Sequence, residues 1–540
     1  MADIRIQGVV QFWLTLCIFL ILFLLENCAF NLSCLEVKTA YKERGLNENE
    51  VPIQAISGNH LEVCSQVSNC CTREMESKLK DLSTREYSIN IEDAFRYHVE
   101  NTFATGIRKF DEFFTSLIDK SQKKLHRMFR RTYGLLYLRG KHLFTSLFND
   151  LREYCEGKNI SLTSTLDIFF KSLFSQVFEL LSAPRKFSDL YLKCVTSQIE
   201  NLKPFGDVPG KLSTQVKKSF VAARTFVKGL AFGRDVSLEV LAIPPTKACN
   251  RALMKMMYCP HCRGLTQTKP CNNYCLNTMK GCLAYHSELN EVWNDYIEAM
   301  KQLASRLDGP FNMEAVVPRI NVYISDAIMT LQENSLTVKE QVHNRCGKPN
   351  PQNMKIKRDT SSPPLASQST LQESKVPGSL GQYDTAAGTS IEHLVKDIKE
   401  KVQIAKDFWV ELPYTMCNNE QIAAQPENDT DCWNGKDIAR YDSVVQKDGM
   451  MYQINNPEVK VDVNQANYII EQQKIELKLI ICKLNSAFRG EEVTWVKTGF
   501  LCEAQITLNV TNKKVSKGSD TYFDTKLDSV YYRLGAWEEG

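Results

Sequence analysis

The sequence lacks the short motifs that mark the common catalytic sites. It contains no nucleophile elbow, no glycine-rich phosphate loop, no HExxH zinc motif and no paired-carboxylate motif. Its eight histidines are scattered without the spacing of metal ligands. We therefore predict a protein that is not an enzyme, with no catalytic residues, no bound metal and no cofactor.

A surplus of one charge is also missing. Lysine and arginine number 66 against 63 aspartates and glutamates, and the chain has neither an acidic tail nor a run of lysines. Proteins that bind DNA or RNA usually carry a basic surplus. We expect no nucleic-acid partner.

One basic stretch lies in residues 120–131. If this stretch is helical, Lys120, Lys124, Arg127 and Arg131 share one face, which could attract sulfated sugars or an acidic partner. A solvated helix face opposite an aromatic stripe explains the same pattern, and we prefer that interpretation.

The N-terminal apolar run is short. It covers residues 12–25, which is 14 residues, whereas a helix needs roughly 17 to 25 to span a bilayer. We therefore predict a signal peptide over residues 1–29, cleaved after Ala29, and regard an uncleaved membrane anchor as the alternative. Cleavage would leave the mature chain in an oxidising, extracellular compartment.

Helical periodicity dominates the rest of the chain, so we predict an all-α, elongated multi-helix core. Strand-like alternation is confined to residues 493–496 and 505–510. Four apolar stripes with a spacing of three or four residues carry the prediction: Phe95, Val99, Phe103, Ile107, Phe110, Phe114, Leu117; Trp293, Ile297, Met300, Leu303, Leu307; Ile391, Leu394, Ile398, Val402, Ala405, Trp409; Ile470, Leu477, Ile481, Leu484, Phe488.

Residues 347–390 have the composition of a disordered linker, with five prolines and almost no large apolar residue. The sequence KIKR within it ends at Arg358 and is typical of a convertase cleavage site, although an ordinary charged linker is the alternative. The linker would separate an N-terminal cysteine-rich core, residues 30–346, from a C-terminal helical piece, residues 391–489. Cutting after Arg358 would give two pieces held together only by disulfides.

The densest group of cysteines lies in the segment CNRALMKMMYCPHCRGLTQTKPCNNYCLNTMKGC. Its CxxC pair, Cys259 and Cys262, precedes Cys271 and Cys275 at a spacing that resembles a zinc site, with His261 as a spare ligand. Thiolates in the secretory pathway form disulfides instead. We therefore predict disulfides here and no metal.

Several separated phrases resemble the glypican family over nearly the whole chain. They are CSQVSNCCT, PFGDVP, FVAARTF, the cysteine-rich segment above, AAGTS, CWNG and QINNPEV. The phrase HCRGL points to the branch of glypicans four and six.

The resemblance implies a heparan sulfate proteoglycan core at the cell surface. Such a core modulates Wnt, Hedgehog, bone morphogenetic protein (BMP) and fibroblast growth factor (FGF) signalling by binding and presenting these ligands to their receptors. Members of the family carry heparan sulfate near the C-terminus and a GPI anchor, and their linker is cut by a convertase.

The resemblance also implies the disulfide pattern of the core, about seven bridges in all. The pairs are Cys34 with Cys70, Cys64 with Cys259, Cys71 with Cys262, Cys194 with Cys346, Cys249 with Cys282, Cys271 with Cys432, and Cys275 with Cys417.

Three cysteines have no counterpart in this pattern: Cys155, Cys482 and Cys502. Cys482 and Cys502 could pair locally, which would leave Cys155 free or in an intermolecular bond. A different signal cleavage that retains Cys28 would also restore an even number.

The final part of the chain, residues 490–540, departs from the family. It contains no acidic Ser-Gly cluster for glycosaminoglycan attachment and no terminal apolar run for a lipid anchor. The one Ser-Gly pair is Ser57-Gly58, which lacks acidic neighbours. As written, the chain is expected to be secreted, with membrane contact only through an anchor that it lacks; the alternative function is therefore that of a soluble isoform acting as a ligand decoy or matrix protein.

N-glycosylation sequons stand at Asn159, Asn428 and Asn509, and these are the predicted glycan sites. A further sequon at Asn31 lies too close to the predicted cleavage site to count.

Overall fold

The computed structural model describes residues 33–64, 69–182, 187–348 and 390–495. Several predicted features lie outside these residues: the signal peptide, most of the linker with Arg358, and the residues Asn31, Cys502 and Asn509. Within the described part the fold is all-α, which confirms the predicted fold class. No β-strand forms there, and the backbone pairs only at isolated bridges. Residues 493–495, which looked strand-like, have no regular structure.

The α-helices of the described part are numbered here in chain order. They are α1 (Leu35–Glu43), α2 (Arg73–Phe95), α3 (Asn101–Cys155), α4 (Leu162–Leu181), α5 (Asp189–Ser197), α6 (Ile199–Leu202), α7 (Val208–Leu241), α8 (Lys247–Met257), α9 (Cys259–Cys262), α10 (Asn272–Cys282), α11 (Ala284–Ser287), α12 (Asn290–Leu307), α13 (Met313–Val316), α14 (Ile320–Glu333), α15 (Ser335–Cys346), α16 (Ile391–Ile404), α17 (Phe408–Cys417) and α18 (Tyr468–Arg489).

Local sequence explains where several of these helices begin. The side chains of Thr72, Ser161 and Thr246 each accept a hydrogen bond from the backbone N–H three residues ahead, at the starts of α2, α4 and α8. Such caps satisfy backbone donors that the first helical turn leaves without partners. None of the described helices is both long and apolar enough to cross a membrane.

Helix α3 reverses direction at Gly134, so it forms a hairpin of two arms, residues 101–133 and residues 135–155. Gly134 has φ 53° and ψ −126°. Arg152 Nη2 lies 2.7 Å from Asp119 Oδ1, although 33 residues of straight helix would separate them by about 50 Å. The rings of Phe129 and Phe144, one from each arm, are 5.1 Å apart.

Helix α7 is the central element of the core and packs against α3, α4, α12, α14 and α18. Its FVAARTF sequence, one of the family-like phrases, is buried from Phe220 through Phe226. Gly229 and Gly233 let α12 approach α7 closely. A Cβ on Gly233, for example, would lie 2.7 Å from Tyr296 Cζ. The Tyr296 hydroxyl donates a hydrogen bond of 2.9 Å to the Gly229 carbonyl.

The piece after the linker packs on the N-terminal core through extensive noncovalent contacts. Helix α18 lies against α7 and α12, and α16 lies against α12 and α3. The indole N–H of Trp293 donates to the carbonyl of Ala405 at 2.7 Å. Lys280 Nζ, almost fully buried, lies 2.8 Å from Asp448 Oδ1. Disulfides are therefore not the only links between the two pieces, contrary to the expectation from sequence.

Candidate functional site

Fourteen cysteines form seven disulfides in the described part, in the seven pairs that the family resemblance implied. They are Cys34–Cys70, Cys64–Cys259, Cys71–Cys262, Cys194–Cys346, Cys249–Cys282, Cys271–Cys432 and Cys275–Cys417. Five of them join residues 142 to 195 positions apart, and long closed loops restrict the unfolded chain most.

The zinc interpretation of the CxxC segment is wrong. Cys259 and Cys262 are bonded to Cys64 and Cys71, so neither sulfur is a thiolate that could bind zinc. His261, between them, is largely buried against Tyr258, and this burial lowers its pKa to about 4. In the described part no three histidine, cysteine or acidic side chains come together as a metal site.

Two disulfides cross from the N-terminal core to the piece after the linker. Cys271 and Cys275 lie at the start of α10 and bond to Cys432 and Cys417. Cys271 N–H also donates to the carbonyl of Trp433, and Asn272 Nδ2 donates to the carbonyl of Cys417. Hydrogen bonds therefore surround both covalent links.

The three remaining cysteines differ in their surroundings. Cys155, at the end of α3, is a free thiol packed beside the core, and burial raises its pKa to about 12. A thiol that stays protonated is a poor nucleophile. Cys482 is disulfide-bonded, and its predicted partner Cys502 lies outside the described residues.

The sequons in the described part are accessible. Asn159 is exposed in the loop after α3, and Asn428 is exposed at the end of a short 3₁₀ helix, Pro426–Asn428. Ser57 is exposed as well, but the Gly58 next to it is buried.

An aromatic-lined cavity of about 140 Å³ lies between the two arms of α3 and the helices α4 and α14. This volume is similar to that of an engineered cavity of ~150 Å³ that binds benzene. Its lining residues are Phe129, Tyr133, Tyr137, Gly140, Phe144, Leu173, Gln176, Val177, Leu180, Leu181, Ile328 and Gln332.

The hairpin reversal at Gly134 creates this cavity because it faces the aromatic side chains of both arms towards each other. The Phe129 and Tyr137 rings are 5.7 Å apart, and the Tyr137 and Phe144 rings 5.2 Å apart. All three side chains are almost fully buried. Leu181, by contrast, is 40% exposed, so the cavity reaches the protein surface beside it.

Four polar side chains line the cavity, and hydrogen bonds hold the hydroxyls of its two tyrosines. The Tyr137 hydroxyl is hydrogen-bonded to His126 Nδ1, and burial raises the pKa of Tyr137 to about 12. The Tyr133 hydroxyl lies 3.3 Å from Ser325 Oγ. An apolar ligand can therefore enter without leaving either tyrosine hydroxyl unpaired.

Sequence reasoning missed this cavity. The stripe prediction placed aromatic residues of α3 in the core but ended at Leu117, before the reversal at Gly134. The lining comes from segments as far apart as Phe129 and Gln332. Only the glycine within a helical pattern, Gly134, was a local signal of a reversal.

Comparison with known proteins points to one family. A family model described as Glypican matches residues 26–499. The chain is 37% identical to glypican-1 of Gallus gallus, covering 85% of this chain and 81% of that protein. It is 34% identical to glypican-2 of Homo sapiens, covering 85% and 79%. These relatives give no support to a position in the branch of glypicans four and six.

Solved structures give the same result. A crystal structure of C-terminally truncated glypican-1 matches with a TM-score of 0.73 and 34% identity, covering 85% of this chain and 100% of that chain. The structure of Dally-like protein in complex with O-palmitoleoyl serine matches with a TM-score of 0.61 and 31% identity, covering 86% and 100%.

Proposed function

The chain belongs to the glypican family of heparan sulfate proteoglycan cores, and we propose that it acts at the cell surface by binding growth factors and morphogens and presenting them to their receptors. The proposed ligands are Wnt, Hedgehog, BMP and FGF proteins. A disulfide-linked helical core with long-range bridges supports this role, because a binding surface works best on a rigid scaffold.

For the lipid-modified ligands in that group, we propose the aromatic-lined cavity as the site that receives part of an acyl chain. The observation that carries this proposal is the cavity itself, with its apolar lining from α3, α4 and α14. The relative crystallised with O-palmitoleoyl serine, Dally-like protein, supports it. Burying methylenes in such a site contributes about 0.8 kcal/mol each.

Direct titration with O-palmitoleoyl serine tests whether the aromatic-lined cavity binds an acyl chain. Val177 lines the cavity from α4, so Val177→Phe should fill it and weaken binding by about tenfold or more, since several methylenes lose their contacts. Ile168→Phe is the matched control, because Ile168 lies on the same helix with 65% of its surface exposed. Equal affinity in both variants would rule out this cavity.

The proteoglycan role is tested by expressing this chain in animal cells and analysing medium and membranes on gels. A smear in the membrane fraction that collapses with heparan-sulfate lyase is expected for an anchored proteoglycan. A sharp band in the medium, unchanged by lyase, would instead favour the soluble decoy or matrix protein.

A further inference from the structure

The basic stretch found in the sequence becomes a larger cationic surface in the structure, because α3 folds back at Gly134. The second arm adds Arg139 and Lys141 to the cations of the first arm. We call the whole set the basic hairpin; its members are Lys120, Lys123, Lys124, Arg127, Arg130, Arg131, Arg139 and Lys141, all of them exposed.

No acidic residue interrupts this surface along the chain. The sequence between Asp119 and Asp150 contains neither aspartate nor glutamate, and Asp119 itself is paired with Arg152 at 2.7 Å. Apart from Lys124, the members of the basic hairpin form no ion pair with a carboxylate in the described part of the chain. An ordinary solvated helix face mixes both signs of charge.

Other helices of the protein show such mixing. Lys211 pairs with Asp207 and Lys401 with Asp397, each at i,i+4 spacing. The first arm instead places Lys120 four residues before Lys124 and Lys123 four residues before Arg127. Like charges at this spacing destabilise a helix, so an anion bound along the arm would relieve their repulsion.

The two arms also bring their cations near each other. Lys141 of the second arm lies close enough to His126 of the first to contribute to lowering the pKa of that imidazole, although burial is the larger cause. The hairpin thus presents cations of both arms around its tip.

The shape of this surface favours a linear ligand. Lys120, Arg127 and Arg131 follow one face of the first arm over about 16 Å. Leu135 and Leu138, exposed by 76% and 46%, lie beyond it at the tip. A bilayer would contact this tip and leave most of the cationic row unused.

We propose that the basic hairpin binds a linear sulfated glycosaminoglycan chain noncovalently. Sulfates spaced along the polymer pair with successive lysines and arginines, and the release of counterions contributes to affinity. This binding depends neither on the aromatic-lined cavity nor on a glycan attached to the chain itself.

Heparin is the probe for the test, applied to the full chain after heparan-sulfate lyase has removed any attached glycan. The triple variant Lys120→Gln, Arg127→Gln, Arg131→Gln should bind heparin about tenfold or more weakly. The slope of log affinity against log salt concentration should fall by an amount that corresponds to up to about three charges. The charge-preserving variant Arg127→Lys, Arg131→Lys should keep most of the affinity.

A second triple variant provides the matched control: Arg108→Gln, Lys396→Gln, Lys478→Gln. These three cations are exposed and form no ion pair with a described residue, so the net charge falls equally. Lys396 and Lys478 lie on α16 and α18, and Arg108 lies on the first arm, about 18 Å along the helix from Lys120. This control should bind within about twofold of the unaltered chain. All variants should keep the same circular dichroism, because every substituted side chain is on the surface.

Three results would overturn the proposal. Equal loss of affinity in both triple variants would show a general charge effect. Equal binding of fully desulfated heparin would show that sulfate is not what is recognised. Binding to phosphatidylserine vesicles without binding to heparin would identify a membrane surface as the ligand.

Discussion

Gly134 has backbone angles that side chains strongly disfavour, and the reversal of α3 depends on it. With φ 53° and ψ −126° it lies in a region that only glycine enters without strain. Its ideal Cβ position has no neighbouring atom within 4 Å, so steric crowding from other residues would not contribute to the effect of a substitution. The backbone alone should determine what a side chain does at this position.

We therefore expect Gly134→Ala to lower the free energy of unfolding by about 1 to 3 kcal/mol. Gly210→Ala is the control, because Gly210 lies in the first turn of α7, also with nothing within 4 Å of its Cβ position, and has no positive φ. There alanine should be neutral or stabilise by up to about 1 kcal/mol. Denaturant unfolding without reductant measures both, and equal effects would contradict the role given to Gly134.

At the scale of helices, sequence periodicity predicted which faces would be buried. Phe103, Phe110 and Phe114 on α3 and Leu477 and Leu484 on α18 are at most 3% exposed. Such stripes are predictable because a helix repeats every 3.6 residues and its apolar side must face the core. Ile481, which also belonged to the predicted stripe, is only partly buried.

Periodicity could not predict how the helices are arranged. The reversal at Gly134 is invisible to it, since the apolar pattern continues on both arms. The partners of Cys271 and Cys275 followed from family resemblance, because spacing alone left zinc and other pairings open. The aromatic-lined cavity arises from contacts between distant segments, which no local pattern encodes. The basic hairpin combines a basic stretch visible in the sequence with cations that the reversal at Gly134 adds.

Helix α18 offers a test of how strongly the second piece is packed. Leu484 is fully buried between α7 and α12, and its Cδ2 would lie 3.1 Å from a Cβ on Gly229. Leu484→Ala should therefore lower the free energy of unfolding by about 2 to 5 kcal/mol. On the same helix, Ile475 is 51% exposed, and Ile475→Ala should have an effect below about 1 kcal/mol. Thermal or denaturant unfolding measures both variants. If Leu484→Ala and Ile475→Ala lose similar stability, α18 does not pack as described.

At the scale of the whole molecule, the two pieces on either side of the predicted linker form one body. Their union rests on three kinds of contact: the packing of α16 and α18, polar contacts such as Asn290 Nδ2 to Asp407 Oδ1 at 3.0 Å, and two crossing disulfides. Buried apolar contacts of this kind persist without covalent links. A single cut in the linker should therefore leave the fold intact.

We predict that convertase cleavage after Arg358 changes neither the size-exclusion elution nor the circular dichroism of the protein. On a denaturing gel the cut chain should run as one band without reductant and as two with it, because Cys271–Cys432 and Cys275–Cys417 span the cut. After the same cut, the variant Cys271→Ser, Cys275→Ser, Cys417→Ser, Cys432→Ser should still elute as one species in native buffer. The uncut control is Arg358→Ala, which should give one band in both gels. Separation of the pieces in native buffer would mean that the disulfides, and not the packing of α16 and α18, hold the molecule together.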